Sequence, residues 1–83
     1  MKVDTMIRAY AAAIDIAPVH VSFELKFVER QWLARLTAEE VGATLASSAS
    51  NPDDAAAALY ADVKKMIARR LEWLQELMST MGE

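Results

Sequence analysis

The stretch that decides the fold is Val19-His20-Val21-Ser22-Phe23-Glu24-Leu25-Lys26-Phe27. Apolar residues at every second position, many of them β-branched or aromatic, predict a strand over 19–27 with Val19, Val21, Phe23, Leu25 and Phe27 on a core and the intervening residues in water. The polar run Val28-Glu29-Arg30-Gln31 reads as a turn of undefined type, because it lacks Gly, Asn and Asp. A returning antiparallel strand at 32–37 follows, with Trp32, Ala34 and Leu36 directed inward. Residues 41–48, after Gly42, read as a short third strand or an extended edge, and Thr37-Ala38-Glu39-Glu40 as a single helical turn. The sheet is therefore two- or three-stranded.

Helices flank this sheet. Val3, Met6, Ile7, Tyr10 and Ile14 recur at steps of three and four, which predicts an amphipathic helix over 3–16. Pro18 closes it, since proline disfavours the helical conformation in the residue before it and offers no amide hydrogen. The second start signal is stronger: Ser50 or Asn51 as cap, Pro52 at the first helical position and Asp53-Asp54 in the first turn. From there a helix over 52–81 gathers Leu59, Tyr60, Val63, Met66 and Ile67, then Leu71, Trp73, Leu74, Leu77, Met78 and Met81, on roughly one side. The fold class is thus α+β, one domain over 1–83 in the order helix, two or three strands, long helix.

That last helix is too long for its sheet. About 30 residues at about 1.5 Å each reach about 45 Å, whereas a strand of about nine residues covers only about 30 Å. The apolar side from Arg70 onward is expected to outrun the core, and a large bare apolar surface seldom stays uncovered in a water-soluble protein. Its cover is the helix over 3–16, a second copy of the chain, or another protein. Arg70 lies in the middle of the apolar stripe and needs an acidic partner such as Asp15 or Glu24, or a place at the rim of a contact surface, where arginine and tryptophan are favoured. The expected contact residues are Arg69, Arg70, Trp73, Leu74, Leu77, Met78 and Met81.

Composition narrows the functional classes. With 83 residues, no cysteine and one histidine, the chain has neither a disulfide nor a zinc ligand set to reinforce a small core. The net charge of −3 is spread, with basic and acidic residues interleaved. Arg8 and Asp15 bound Ala11-Ala12-Ala13-Ile14 too tightly for an export signal, and no apolar run approaches the length of a membrane span, so a cytoplasmic location is expected. His20 stands alone. The carboxylate pairs Glu39-Glu40 and Asp53-Asp54 suit capping better than acid–base work, and no phosphate-binding or nucleophile motif is present. An enzyme, a metal and a cofactor are therefore not expected.

The order helix, strand at 19–27, second strand, short third strand or edge, and helix resembles the double-stranded RNA-binding domain, although Asn51-Pro52-Asp53-Asp54-Ala55 stands where that family's second helix begins. From Val19 onward it is also similar to the small sheet-and-helix domain of HicB-type antitoxins. In the RNA-binding family the second helix opens with a basic cluster that grips phosphates, and carboxylates at that place would repel a backbone. No functional residue is carried over. As a small, cysteine-free, alanine-rich, slightly acidic chain, it also resembles phage-encoded inhibitors of host machinery, including anti-CRISPR proteins. The expected function is a non-catalytic protein–protein interaction module, a bacterial or phage-encoded regulator or inhibitor that binds another protein, a second copy of itself, or both, through its C-terminal helix. The alternative is an antitoxin-like or degenerate double-stranded-RNA-binding-like regulator using Lys26, Arg30 and Arg35, although the charge pattern disfavours nucleic acid.

Overall fold

The acidic, proline-led helix start is realised first. In the computed structural model, which describes residues 3–82, α2 spans Pro52–Met81. The Asn51 side chain accepts from the Asp54 backbone N–H and donates to the Asp54 carboxylate, both at 2.8 Å, satisfying a free amide of the first turn. The other elements are α1 (Val3–Ala13), β1 (Ser22–Val28), β2 (Gln31–Ala38) and β3 (Ala43–Ala49). The unit expected over 1–83 includes residues 1, 2 and 83, which lie outside the described residues.

The sheet is antiparallel with order β1-β2-β3. Its register aligns Phe23 with Leu36 and Leu45, Leu25 with Ala34 and Ser47, and Phe27 with Trp32 and Ala49, so these residues share the face beneath the helices. The helix α2 crosses this face over β2 and β3, while α1 packs mainly along α2. Thr5 and Ala9 line one hollow with Tyr60, Val63, Lys64 and Ile67, and Ala13 lines another with Met66, Arg70 and Trp73, so the two helices run in the same direction. The core is small. It comprises Met6, Tyr10 and Ala11 of α1, Val21, the β2 residues Ala34, Leu36 and Ala38, and the α2 residues Ala55, Leu59 and Val63. Burial raises the Tyr10 phenol above its usual pKa.

Several boundaries differ from the sequence reading. The first helix stops at Ala13 instead of residue 16, because the chain turns through Asp15 at φ +58° and the Ile16 N–H returns to the Ala11 carbonyl at 3.0 Å. The strand begins at Ser22, not 19. Pro18–His20 forms a 3-10 turn closed by the Val21 N–H on the Pro18 carbonyl, as the fixed φ of proline favours, and this lifts Val19 off the core to 85% exposure. Further along β1, Leu25 and Phe27 point to the helix side as expected yet remain exposed, since the helices pack chiefly on β2, β3 and each other and only lightly on this edge strand. The third segment is a strand at 43–49, shifted from 41–48 because Glu39–Val41 forms a 3-10 turn that Gly42 ends in the left-handed region at φ +66°.

The β1–β2 connection is a two-residue hairpin loop with Glu29 at φ +51° and Arg30 at φ +68°. Two positive φ values match the right-handed twist of a hairpin, but they are unfavourable for residues carrying a Cβ. Glu29→Asn combined with Arg30→Gly should therefore raise the unfolding free energy by about 1–2 kcal/mol, read as a higher urea midpoint at unchanged slope. Truncating Leu36, the largest buried side chain of the central strand, to alanine should lower stability by about 3 kcal/mol. A loss under about 1 kcal/mol would mean that the helix layer does not seal this face.

Candidate interaction surface

Phase along α2 governs what the helix offers to solvent. Ala55, Leu59 and Val63 face the sheet, and Met66, Arg70, Trp73 and Leu77 continue on the same side at alternating steps of three and four. The cover ends at Arg70, whose guanidinium bonds the Asp15 carboxylate just beyond α1 and stacks over the Trp73 ring at 5.3 Å. Of the two carboxylates that sequence reasoning offered Arg70, Asp15 takes it and Glu24 does not. Beside this pair lies an open groove formed by Ala13, Met66, Arg69, Arg70 and Trp73.

Every described residue from Leu71 outward is exposed. This tail accounts for the elongated shape, 53 Å long and only 23 and 21 Å across. Trp73 is 50% exposed and Met81 84%, with Leu71 just before this stretch and Leu74, Leu77 and Met78 within it, all exposed. Six large side chains of roughly 200 Å2 each, about half uncovered, put on the order of 600 Å2 of apolar surface on one arc, at the top of the range for an ordinary monomer. The seven residues expected as contacts thus fall on one continuous surface: Arg69 and Arg70 at its base, Trp73, Leu74 and Leu77 along the stripe, Met78 and Met81 at its far end. The opposite face carries Glu72, Gln75, Glu76, Ser79 and Thr80.

A second apolar area escaped the sequence reading. Leu25, Phe27 and Val28 are exposed at the end of β1, where Phe27 meets Trp32 with ring centroids 5.5 Å apart. Strand alternation signalled which side Leu25 and Phe27 face, but nothing in the sequence signalled that β1 would be an edge strand only lightly touched by the two helices.

The charged groups pair locally. On the bare face of the sheet Glu24 bonds Arg35 and lies 3.6 Å from Lys26, so two of the three cations considered for nucleic acid share one carboxylate, while Arg30 stands apart on the hairpin loop. The Arg35 Nε is buried without a partner. His20 sits on the 3-10 turn with Nδ1 3.0 Å from Glu40. Among the described residues no group of three or more His, Cys, Asp or Glu side chains comes together, and no helix is long and apolar enough to cross a membrane.

No protein-family model, curated protein or solved structure matches the chain. The likeness to RNA-binding and antitoxin domains consequently rests on element order alone. Because the Asp15 carboxylate is mostly open to water and Arg70 only partly covered, Asp15→Asn should lower stability by less than about 1 kcal/mol, and 1 M salt should remove most of that difference in a urea titration.

Proposed function

We propose that this chain is a non-catalytic protein–protein interaction module whose working surface is the apolar face of α2 from Arg70 to Met81, acting as a regulator or inhibitor by occupancy. One observation carries this reading. The stripe that holds Leu59 and Val63 against the sheet continues, in phase, for about three further turns in which every residue from Leu71 to Met81 is exposed. Selection for solubility alone would place polar residues there. The composition of the surface also suits recognition, with a tryptophan beside an arginine at the base and adaptable methionines at the tip. The nucleic-acid alternative draws less support, since Glu24 partly neutralises Lys26 and Arg35 and the start of α2 carries Asp53 and Asp54.

Trp73→Gln with Leu77→Gln replaces two stripe residues by good helix formers. The far-ultraviolet circular dichroism and the urea midpoint should stay near wild type, and association with the partner, followed by light scattering or affinity capture, should be lost. Global unfolding of the double variant would show that these side chains belong to the core and would overturn the proposal.

A further inference from the structure

We infer that the open edge of β1 pairs antiparallel with β1 of a second copy of the chain, joining the two sheets edge to edge. This pairing is independent of what covers the α2 tail. Backbone geometry gives the first constraint. The two-residue turn through Glu29 and Arg30 closes with Val28 and Gln31 as a hydrogen-bonded couple. Such couples alternate along an antiparallel ladder, so Ser22, Glu24 and Lys26 also turn their amides and carbonyls toward β2. Those of Phe23, Leu25 and Phe27 therefore point out of the sheet, along a strand that contains no proline and runs in unbroken register with β2. An edge of this kind is a template for another strand.

Side-chain order gives the second constraint and selects the partner. Phe23-Glu24-Leu25-Lys26-Phe27 reads the same in both directions about Leu25, except that the sign of the charge reverses. An antiparallel copy centred there sets Leu25 on Leu25, Phe23 on Phe27 and Glu24 on Lys26, with the off-centre contacts made twice by the two-fold axis. The outward amides and carbonyls of the three apolar residues then bond across the axis. Slipping the register by two residues either way brings Glu24 onto Glu24 or Lys26 onto Lys26, and slipping it by one sets charged residues on apolar ones. A parallel copy in register also stacks like charge on like. A strand from an unrelated protein would ask for no such reversal of charge about a central residue, whereas self-pairing does.

Both faces of the joined sheet agree with this register. On the helix side, Leu25 and Phe27 are the exposed apolar residues of β1, and Phe23 of the second copy would extend the Phe27–Trp32 ring contact. On the bare side, Glu24 already bonds Arg35. Lys26 of the second copy would lengthen that row so that sign alternates across it. The other edge, β3, gives no comparable guide, because Thr44, Ala46 and Ser48 carry no charge to set a register and α2 packs over that strand.

The chain has no cysteine, so one introduced thiol reports the register. Leu25→Cys sets two thiols across the axis with Cα atoms about 5.5 Å apart, within disulfide reach, whereas Val28→Cys holds them about 20 Å apart. Both positions are 39% exposed, so random encounters treat them alike. Oxidation of the full chain with diamide should convert Leu25→Cys to a covalent dimer about tenfold faster than Val28→Cys. Equal rates, or a faster Val28→Cys, overturn the inference. Sedimentation equilibrium gives the second readout, with a dissociation constant on the order of 100 µM expected of so small an interface. Glu24→Lys alone and Lys26→Glu alone should each weaken the dimer about tenfold, and their equimolar mixture should recover wild-type affinity, since opposite charges then meet at both contacts. A mixture no tighter than either variant alone overturns the pairing, as does a wild-type chain that stays monomeric to about 1 mM. Leu25→Lys changes a side chain already open to water, so circular dichroism should show it folded while two ammonium groups on the axis keep it monomeric. Trp73→Gln with Leu77→Gln should leave the dimer intact. Loss of the dimer in that folded variant would place self-association on the tail, overturning the strand pairing and sustaining the tail as a contact surface.

Discussion

The packed length of α2 is set by the sheet beneath it, and the two do not match. Strands of seven and eight residues reach roughly 25 Å, whereas the 30 residues of α2 reach about 45 Å. Everything distinctive about the molecule follows from that excess. The first part of the helix, from Ala55 to Val63, closes the core; the part from Leu71 to Met81 has no sheet left to close on. Between them Arg70 marks the transition, held on one side by Asp15 and stacked on the other against Trp73. A guanidinium in an apolar stripe is costly when buried and alone. Here it sits where the stripe passes from protein to water, so its charge stays solvated while its stem continues the apolar line.

The length mismatch was legible in the sequence because both quantities behind it are periodic. Strict alternation through Phe23, Leu25 and Phe27 and three-four spacing through Leu59, Val63 and Met66 fix what kind of element each stretch forms, and Asn51-Pro52-Asp53-Asp54 fixes where the helix starts. What was not legible is lateral arrangement. Alternation assigns Leu25 and Phe27 to the helix side of the sheet without saying whether a helix lies above them, and that depends on which strand becomes the edge and where α1 comes to rest. Local chemistry also displaced two boundaries. Pro18 drew Val19 into a tight turn, although Val19 fits the alternating pattern, and Asp15 turned the chain before Ile16 could extend the helix. Of the candidate surface, the residues were readable from helical phase and the start of the tail at Arg70 from the mismatch of lengths; that α1 ends at Ala13, three residues earlier than its periodicity implied, was not.

The hairpin between β1 and β2 shows how a small sheet tolerates an unfavourable local choice. Glu29 and Arg30 both adopt left-handed backbone conformations that glycine or asparagine would enter more readily. The pairing of seven residue couples along β1 and β2 outweighs that strain and fixes the register. The same pairing brings Glu24 opposite Arg35, so the bare face of the sheet is tied together by charge where it has no apolar cover.

Ala34 and Ala38 of β2 and Ala55 of α2 put only methyl groups into the core at those points, which lets the helix layer approach the sheet closely. Such close approach leaves little room for the helix axis to tilt, because rigid surfaces in direct contact resist rotation more than surfaces cushioned by long, flexible side chains. The tail amplifies whatever angular freedom remains: across about 16 Å of unsupported helix, a tilt of roughly five degrees moves the tip by more than an ångström. Small residues buried at one end of the molecule therefore determine the aim of methionines at the other, and the thinness of the core becomes a source of pointing accuracy.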